Sequence, residues 1–158
     1  MVKSVREATI KDVCLILDFI KKLAEYEKMS DLVVANEKLL TEWIFEKQKA
    51  NVIFALDGQK EVGFALYFNN FSTFLGRAGI YLEDLFVLPE YRAKGYGKLL
   101  LKTLAKKAVE QGYGRFEWCC LNWNTPSIDF YKSLGAKQMD EWNTFRLDGD
   151  ALNSLAKQ

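Results

Sequence analysis

The stretch Glu83-Asp84-Leu85-Phe86-Val87-Leu88-Pro89-Glu90-Tyr91-Arg92-Ala93-Lys94-Gly95-Tyr96-Gly97-Lys98-Leu99-Leu100-Leu101 reads as a buried strand, a basic glycine turn and an apolar-periodic helix. That order leaves unpaired backbone N–H groups at a helix start, where they suit an anion. A phosphate is the expected ligand. A Walker loop would need Gly at the position of Arg92 and Ser or Thr at that of Leu99. A dinucleotide fingerprint would need a third glycine where Leu100 sits, and an acidic residue closing the next strand, whereas Glu117 falls in mid-strand. What remains is Arg92-x-x-Gly95-x-Gly97, whose glycines let the backbone wrap closely round a pyrophosphate while Arg92, Lys94 and Lys98 supply positive charge. An ordinary left-handed turn entering a helix has the same outline.

The pattern outside this stretch predicts a mixed α/β chain. A short strand over residues 2–6 precedes a helix in which Thr9 and Asp12 form a capping box and Val13, Leu17, Ile20 and Ala24 keep helical spacing to about Tyr26. Asn36 caps a second helix that buries Leu39, Leu40 and Trp43 and leaves Glu42, Glu46 and Lys47 in water. Asp57-Gly58 joins strands over 51–56 and 61–68 into a hairpin. A polar loop over 69–77 leads to a strand over 78–88, and the glycine turn opens a helix over 98–111 that Gly112 ends. A strand over 115–121, a helix starting at Thr125-Pro126 and ending at Gly135, a strand over 142–147 and a short terminal helix complete the order. With no linker, repeat or low-complexity stretch, residues 1–158 read as a single domain with a central sheet flanked by helices.

Composition narrows the function. The 22 basic and 21 acidic residues leave a formal charge of +1, which gives no footprint for nucleic acid. With no histidine and only three cysteines, Cys14, Cys119 and Cys120, no zinc-type spacing exists, no metal is expected, and proton transfer must use Tyr, Glu, Asp, Lys, Cys or water. The cysteines read as reduced core residues. No stretch has signal-peptide character or the roughly 20 apolar residues of a membrane span, so no membrane partner and a cytoplasmic location are expected.

The Arg92-x-x-Gly95-x-Gly97 turn after Phe86-Val87-Leu88-Pro89 resembles the acetyl-CoA pyrophosphate loop of the GNAT superfamily of N-acetyltransferases. Asn122-Trp123-Asn124-Thr125-Pro126-Ser127-Ile128-Asp129-Phe130-Tyr131-Lys132-Ser133-Leu134-Gly135-Ala136 resembles that superfamily's N-x-x-(A/P)-x-x-F-Y-x-x-x-G-(F/A) segment. Within it, Leu23 to Met29 and Tyr81-Leu82-Glu83-Asp84 are similar to the diamine branch, the spermidine/spermine and thialysine acetyltransferases.

The resemblance implies a GNAT-type fold, with a central, mostly antiparallel twisted sheet, and an enzyme that transfers acetyl from acetyl-CoA to a small cationic primary amine by direct attack in a ternary complex. It places the co-substrate on Leu85, Phe86, Val87, Arg92, Ala93, Lys94, Gly95, Tyr96, Gly97, Lys98, Asn124 and Ser127. Tyr131 corresponds to the acid that protonates the leaving thiolate; its phenol is neutral at pH 7, although residue type alone fits a core aromatic beside Phe130. Glu83 corresponds to the base, acting through water, and a carboxylate inside an apolar strand is costly unless paired or functional. Tyr26, Glu27, Glu83 and Asp84 correspond to the amine contacts. Strict alternation puts Glu83 and Asp84 on opposite faces, so one site can hold both only if a bulge re-aims one of them. Phe74, where the polyamine enzymes carry tryptophan, and Asn143, near an expected acidic position, leave a diamine, a polyamine and a thialysine-like amine all open. Relatives are dimers, which implies a homodimer. A CoA-binding sensor or interaction module, and acetylation of a protein or antibiotic amine, are the competing readings.

Overall fold

The computed structural model describes residues 2–158, which form two compact units, one reaching to Cys119 and one over Cys120–Gln158. The first unit is built on a five-stranded sheet, β1 (Lys3–Glu7), β2 (Asn51–Asp57), β3 (Lys60–Ser72), β4 (Arg77–Val87) and β5 (Phe116–Trp118), in that spatial order. The first four strands pair antiparallel and β4 with β5 parallel. The β2–β3 hairpin turns at Gly58, whose φ of +63° is the left-handed conformation glycine adopts without strain.

Both sheet faces are covered. Helix α1 (Val13–Tyr26) lays Ile16, Phe19 and Leu23 on Val52, Phe54, Phe64 and Phe86, while Ile53 and Ala55, alternating to the other face, are buried on the side where α3 (Tyr96–Glu110) packs. Phe19 holds that cluster together, with its ring 5.3 Å from that of Phe64 and 6.0 Å from that of Phe54. Phe19→Ala is expected to cost about 3–5 kcal/mol, read as a lower urea midpoint with an unchanged slope. Arg6 ties β1 to the start of α1 and to β3 through Asp12 at 2.8 Å and Glu61 at 2.7 Å. The Arg6 guanidinium holds the Asp12 carboxyl down at about 2.

Several local readings change. Asn36 does cap α2 (Glu37–Leu40), accepting the Leu39 N–H at 2.9 Å, but the helix continues as a wider π turn over Thr41–Glu46. More residues per turn shift the phase, so Ile44 is buried and Trp43, 47% exposed, lies instead under the Lys47 ammonium at 4.1 Å. Cys14 and Cys119 are free but exposed rather than in the core.

In the second unit α4 (Thr125–Ser133) starts with Pro126 in its first turn, and Gly135 follows its end at φ +89°. Residues 142–147 form no strand, contrary to the pattern, and Trp142 and Phe145 there are 74% and 93% exposed. Helix α5 (Gly149–Ala156) ends the chain. No helix among the described residues is long and apolar enough to cross a membrane.

Candidate active site

Strand β4 is longer than its parallel neighbour. Only Ile80, Tyr81 and Leu82 pair with β5, so residues 84–87 pair with β3 on one side and have no strand partner in the sheet on the other. Alternate peptide groups of Leu85, Phe86 and Val87 therefore point to an open edge, able to take an extended, amide-bearing chain.

The register of β3 on β4 slips at this point. Leu66 stands opposite Asp84 and Tyr67 opposite Leu82, so Glu83 is an extra residue, the bulge that both carboxylates would need to share a site. Glu83 is exposed rather than buried in the strand, and Asp84 is the partly buried one. Burial first, then the charges of Glu83 and Glu27, pushes the Asp84 carboxyl up to about 7. Burial and the Glu83 charge likewise raise Glu27. Glu27 follows the end of α1, so helix and bulge together bring three carboxylates into one electrostatic group. Such a group favours a cation.

The turn after β4 has the geometry of an anion cradle. Ala93 and Gly95 take φ values of +59° and +92°, and α3 makes its first backbone bond from Leu99 to the Gly95 carbonyl. The N–H groups of Gly95, Tyr96, Gly97 and Lys98 ahead of it have no backbone acceptor among the described residues. Gly97 leaves the approach open, since a Cβ there would meet only the Val87 side chain at 3.9 Å.

The basic residues are less free than the sequence suggests. Arg92 donates from Nε to the Val87 carbonyl at 2.9 Å, with its guanidinium 4.8 Å from the centre of the Tyr26 ring and 5.1 Å from that of Phe86. Lys94 donates to the Glu90 carbonyl at 2.9 Å, whereas Lys98 is exposed. Arg92 thus clasps the end of α1 to the end of β4, uniting Tyr26, Phe86 and the cradle. Nothing in the local sequence signals this aromatic clasp, because its partners lie far apart along the chain. Tyr81, on the same strand, meets the Cys119 sulfur at 2.9 Å, and burial together with that contact raises its phenol above the ordinary value.

Asn124, Ser127 and Tyr131 belong to the second unit. Asn124 is buried just ahead of α4, Ser127 lies in its first turn, and Tyr131 is half-buried near its end with its ring 5.7 Å from that of Phe130.

An open, mostly antiparallel sheet whose fourth strand runs past its neighbour into an N–H-lined turn at a helix start defines an α+β protein with a strand edge and an anion-suited turn side by side. Residues 17–136 match the acetyltransferase (GNAT) family model, and the chain belongs to that family. It is an enzyme, an N-acetyltransferase. It is 38% identical to thialysine N-epsilon-acetyltransferase of Sus scrofa, with 96% of each chain covered. With L-ornithine N5-acetyltransferase of Arabidopsis thaliana the identity is 33%, over 99% of this chain and 89% of that one. Among solved structures, an integron cassette protein from the mobile metagenome of V. cholerae superposes with a TM-score of 0.83 at 31% identity, covering 100% of this chain and 99% of that one. An aminoglycoside acetyltransferase from soil metagenomic DNA shares the fold at a TM-score of 0.77 and 18% identity, covering 92% of this chain and 97% of that one.

Proposed function

We propose that this chain transfers the acetyl group of acetyl-CoA to a primary amine of a small cationic substrate, a diamine, polyamine or thialysine-like amino acid, by direct attack in a ternary complex. The observation that carries this reading is the Glu83 bulge, which groups Glu27, Glu83 and Asp84 on the strand that leads into the cradle. Relatives named for thialysine and ornithine support a substrate with a flexible aminoalkyl arm and a second charge.

In this reading the N–H groups of the cradle, from Ala93 to Lys98, hold the pyrophosphate, and the open edge at Leu85, Phe86 and Val87 binds the pantetheine arm and polarises the thioester carbonyl. Asn124 and Ser127 are assigned to the coenzyme. Tyr26, Glu27 and Asp84 bind the ammonium, and Glu83, exposed as a water-mediated base requires, takes its proton. The neutral nitrogen attacks the thioester carbon, the C–S bond breaks, and the thiolate takes the Tyr131 phenolic proton, giving amide and CoA. Residues 1–158 act as one catalytic domain, in the cytoplasm and as a homodimer.

The test is a screen of ornithine, lysine, thialysine, putrescine and spermidine with acetyl-CoA, reading released thiol. Turnover of at least one is expected. Tight CoA binding without thiol release from any amine would make the protein a CoA-binding module. Gly97→Asp is expected to weaken acetyl-CoA at least about tenfold, because it sets a carboxylate where phosphate approaches. There is room for the new Cβ, so the fold should survive. Unchanged affinity by calorimetry would remove the phosphate reading of the turn.

A further inference from the structure

The cradle is held from behind by side chains at the opposite end of the chain. Lys3, the first residue of β1, donates its Nζ hydrogen bond to the backbone carbonyl of Lys94 and lies 5.0 Å from the centre of the Tyr96 ring. A Cβ on Gly95 would stand 3.4 Å from the same nitrogen. The buried Tyr96 meets Tyr91 edge-on at 5.9 Å, with the Lys60 ammonium 5.1 Å from the Tyr91 ring centre. Strand β1 and the β2–β3 hairpin therefore back the turn.

The bond to Lys94 has a directional consequence. In a trans peptide the carbonyl and the N–H point to opposite sides. Drawing the Lys94 carbonyl toward Lys3 aims the Gly95 N–H away from β1. Glycine at 95 would otherwise let this peptide rotate, since glycine accepts φ of either sign at little cost. We propose that Lys3 is a positioning residue for co-substrate binding: its ammonium locks the peptide between Lys94 and Gly95 so that the Gly95 N–H is presented to the pyrophosphate. This rests on the acetyl-CoA reading of the cradle. The ammonium acts through the backbone and not as a phosphate ligand itself.

The test compares two acetyl donors, acetyl-CoA and S-acetylpantetheine, which lacks the pyrophosphate. Lys3→Met should raise the KM for acetyl-CoA about tenfold, the scale of a lost hydrogen bond to a charged group, with kcat at saturation and kcat/KM for S-acetylpantetheine each within about twofold. Lys3→Arg, which keeps a charged donor on a long stem, should recover most of the loss. Equal losses with both donors, or none with either, would overturn the positioning role. Amide NMR of the wild type gives a readout that does not depend on any variant folding: adding CoA should shift the Gly95 amide and slow its exchange, and adding pantetheine should do neither. A Gly95 amide indifferent to CoA would also overturn the proposal. Wild-type protein that binds no acetyl-CoA removes the functional reading itself, whereas wild type that binds it while Lys3→Met matches it removes only Lys3.

Discussion

Tyr131→Phe is expected to lower kcat about 10²–10⁴-fold while acetyl-CoA affinity and melting temperature stay close to wild type. The stability half of this expectation follows from how the residue is held. Its carbonyl accepts the N–H of Leu134 at 3.1 Å and of Ala136 at 3.2 Å, closing the end of α4, and its ring packs on Phe130. Phenylalanine keeps the backbone bonds and the ring. The activity half follows from the chemistry of the leaving group, which becomes a thiolate only as the C–S bond breaks and needs a proton at that moment. Stopped-assay turnover with the best amine, beside a thermal melt, decides it. Near-normal kcat would return Tyr131 to a packing role.

The parts of the fold written in contiguous residues were legible. The hairpin at Gly58, the α1 stripe and the passage from strand through glycine turn to helix at 77–110 all depend on neighbours within a turn or two. The parts that failed depend on a partner. Residues 142–147 carry apolar residues at strand-like intervals, but a strand is completed by hydrogen bonds to another chain segment, and here no such ladder forms. The phase error that exchanged Trp43 for Ile44 comes from a π turn, which helical spacing cannot foresee. Cysteine's usual preference for burial misplaced Cys14 and Cys119, because the α1 surface and the end of β5 decide their exposure.

The candidate site divides in the same way. The turn and helix start from Arg92 to Gly97 could be read, since the glycines that shape them are local. The bulge could be stated only as a condition, because alternation forbids Glu83 and Asp84 one site and the register against β3 lies outside the motif. Once the register is known, burial and charge rank the two carboxylates: Glu83 is the accessible one and Asp84 the one that resists ionisation.

That ranking leads to opposite effects on stability and activity in Asp84→Asn. In the folded protein Asp84 titrates near 7, above its ordinary value of 3.8, so the fold binds a proton that the unfolded chain releases as pH rises from about 4 to 7. Stability from this group is therefore lost across that window, and at pH 8 the full cost is present. Each unit of upward shift is worth about 1.4 kcal/mol, so holding the position neutral with asparagine should stabilise the protein by roughly 2–4 kcal/mol at pH 8 and by almost nothing at pH 4. Turnover should move the other way. Asparagine cannot pair with an ammonium, and the KM for the amine is expected to rise about tenfold or more, while acetyl-CoA affinity is spared. Glu83→Gln supplies the contrast: it removes one of the charges that hold Asp84 up but leaves its burial, so it should stabilise less than Asp84→Asn at pH 8 and not at all at pH 4, while kcat falls and partly recovers at high pH, where more amine arrives already deprotonated. Urea titrations at pH 4 and 8 and a pH–rate profile for each variant measure all four quantities. An Asp84→Asn variant less stable than wild type at pH 8 would mean that the ionised carboxylate is bound by a partner in the fold, and that the acidic group serves the structure and not an incoming amine.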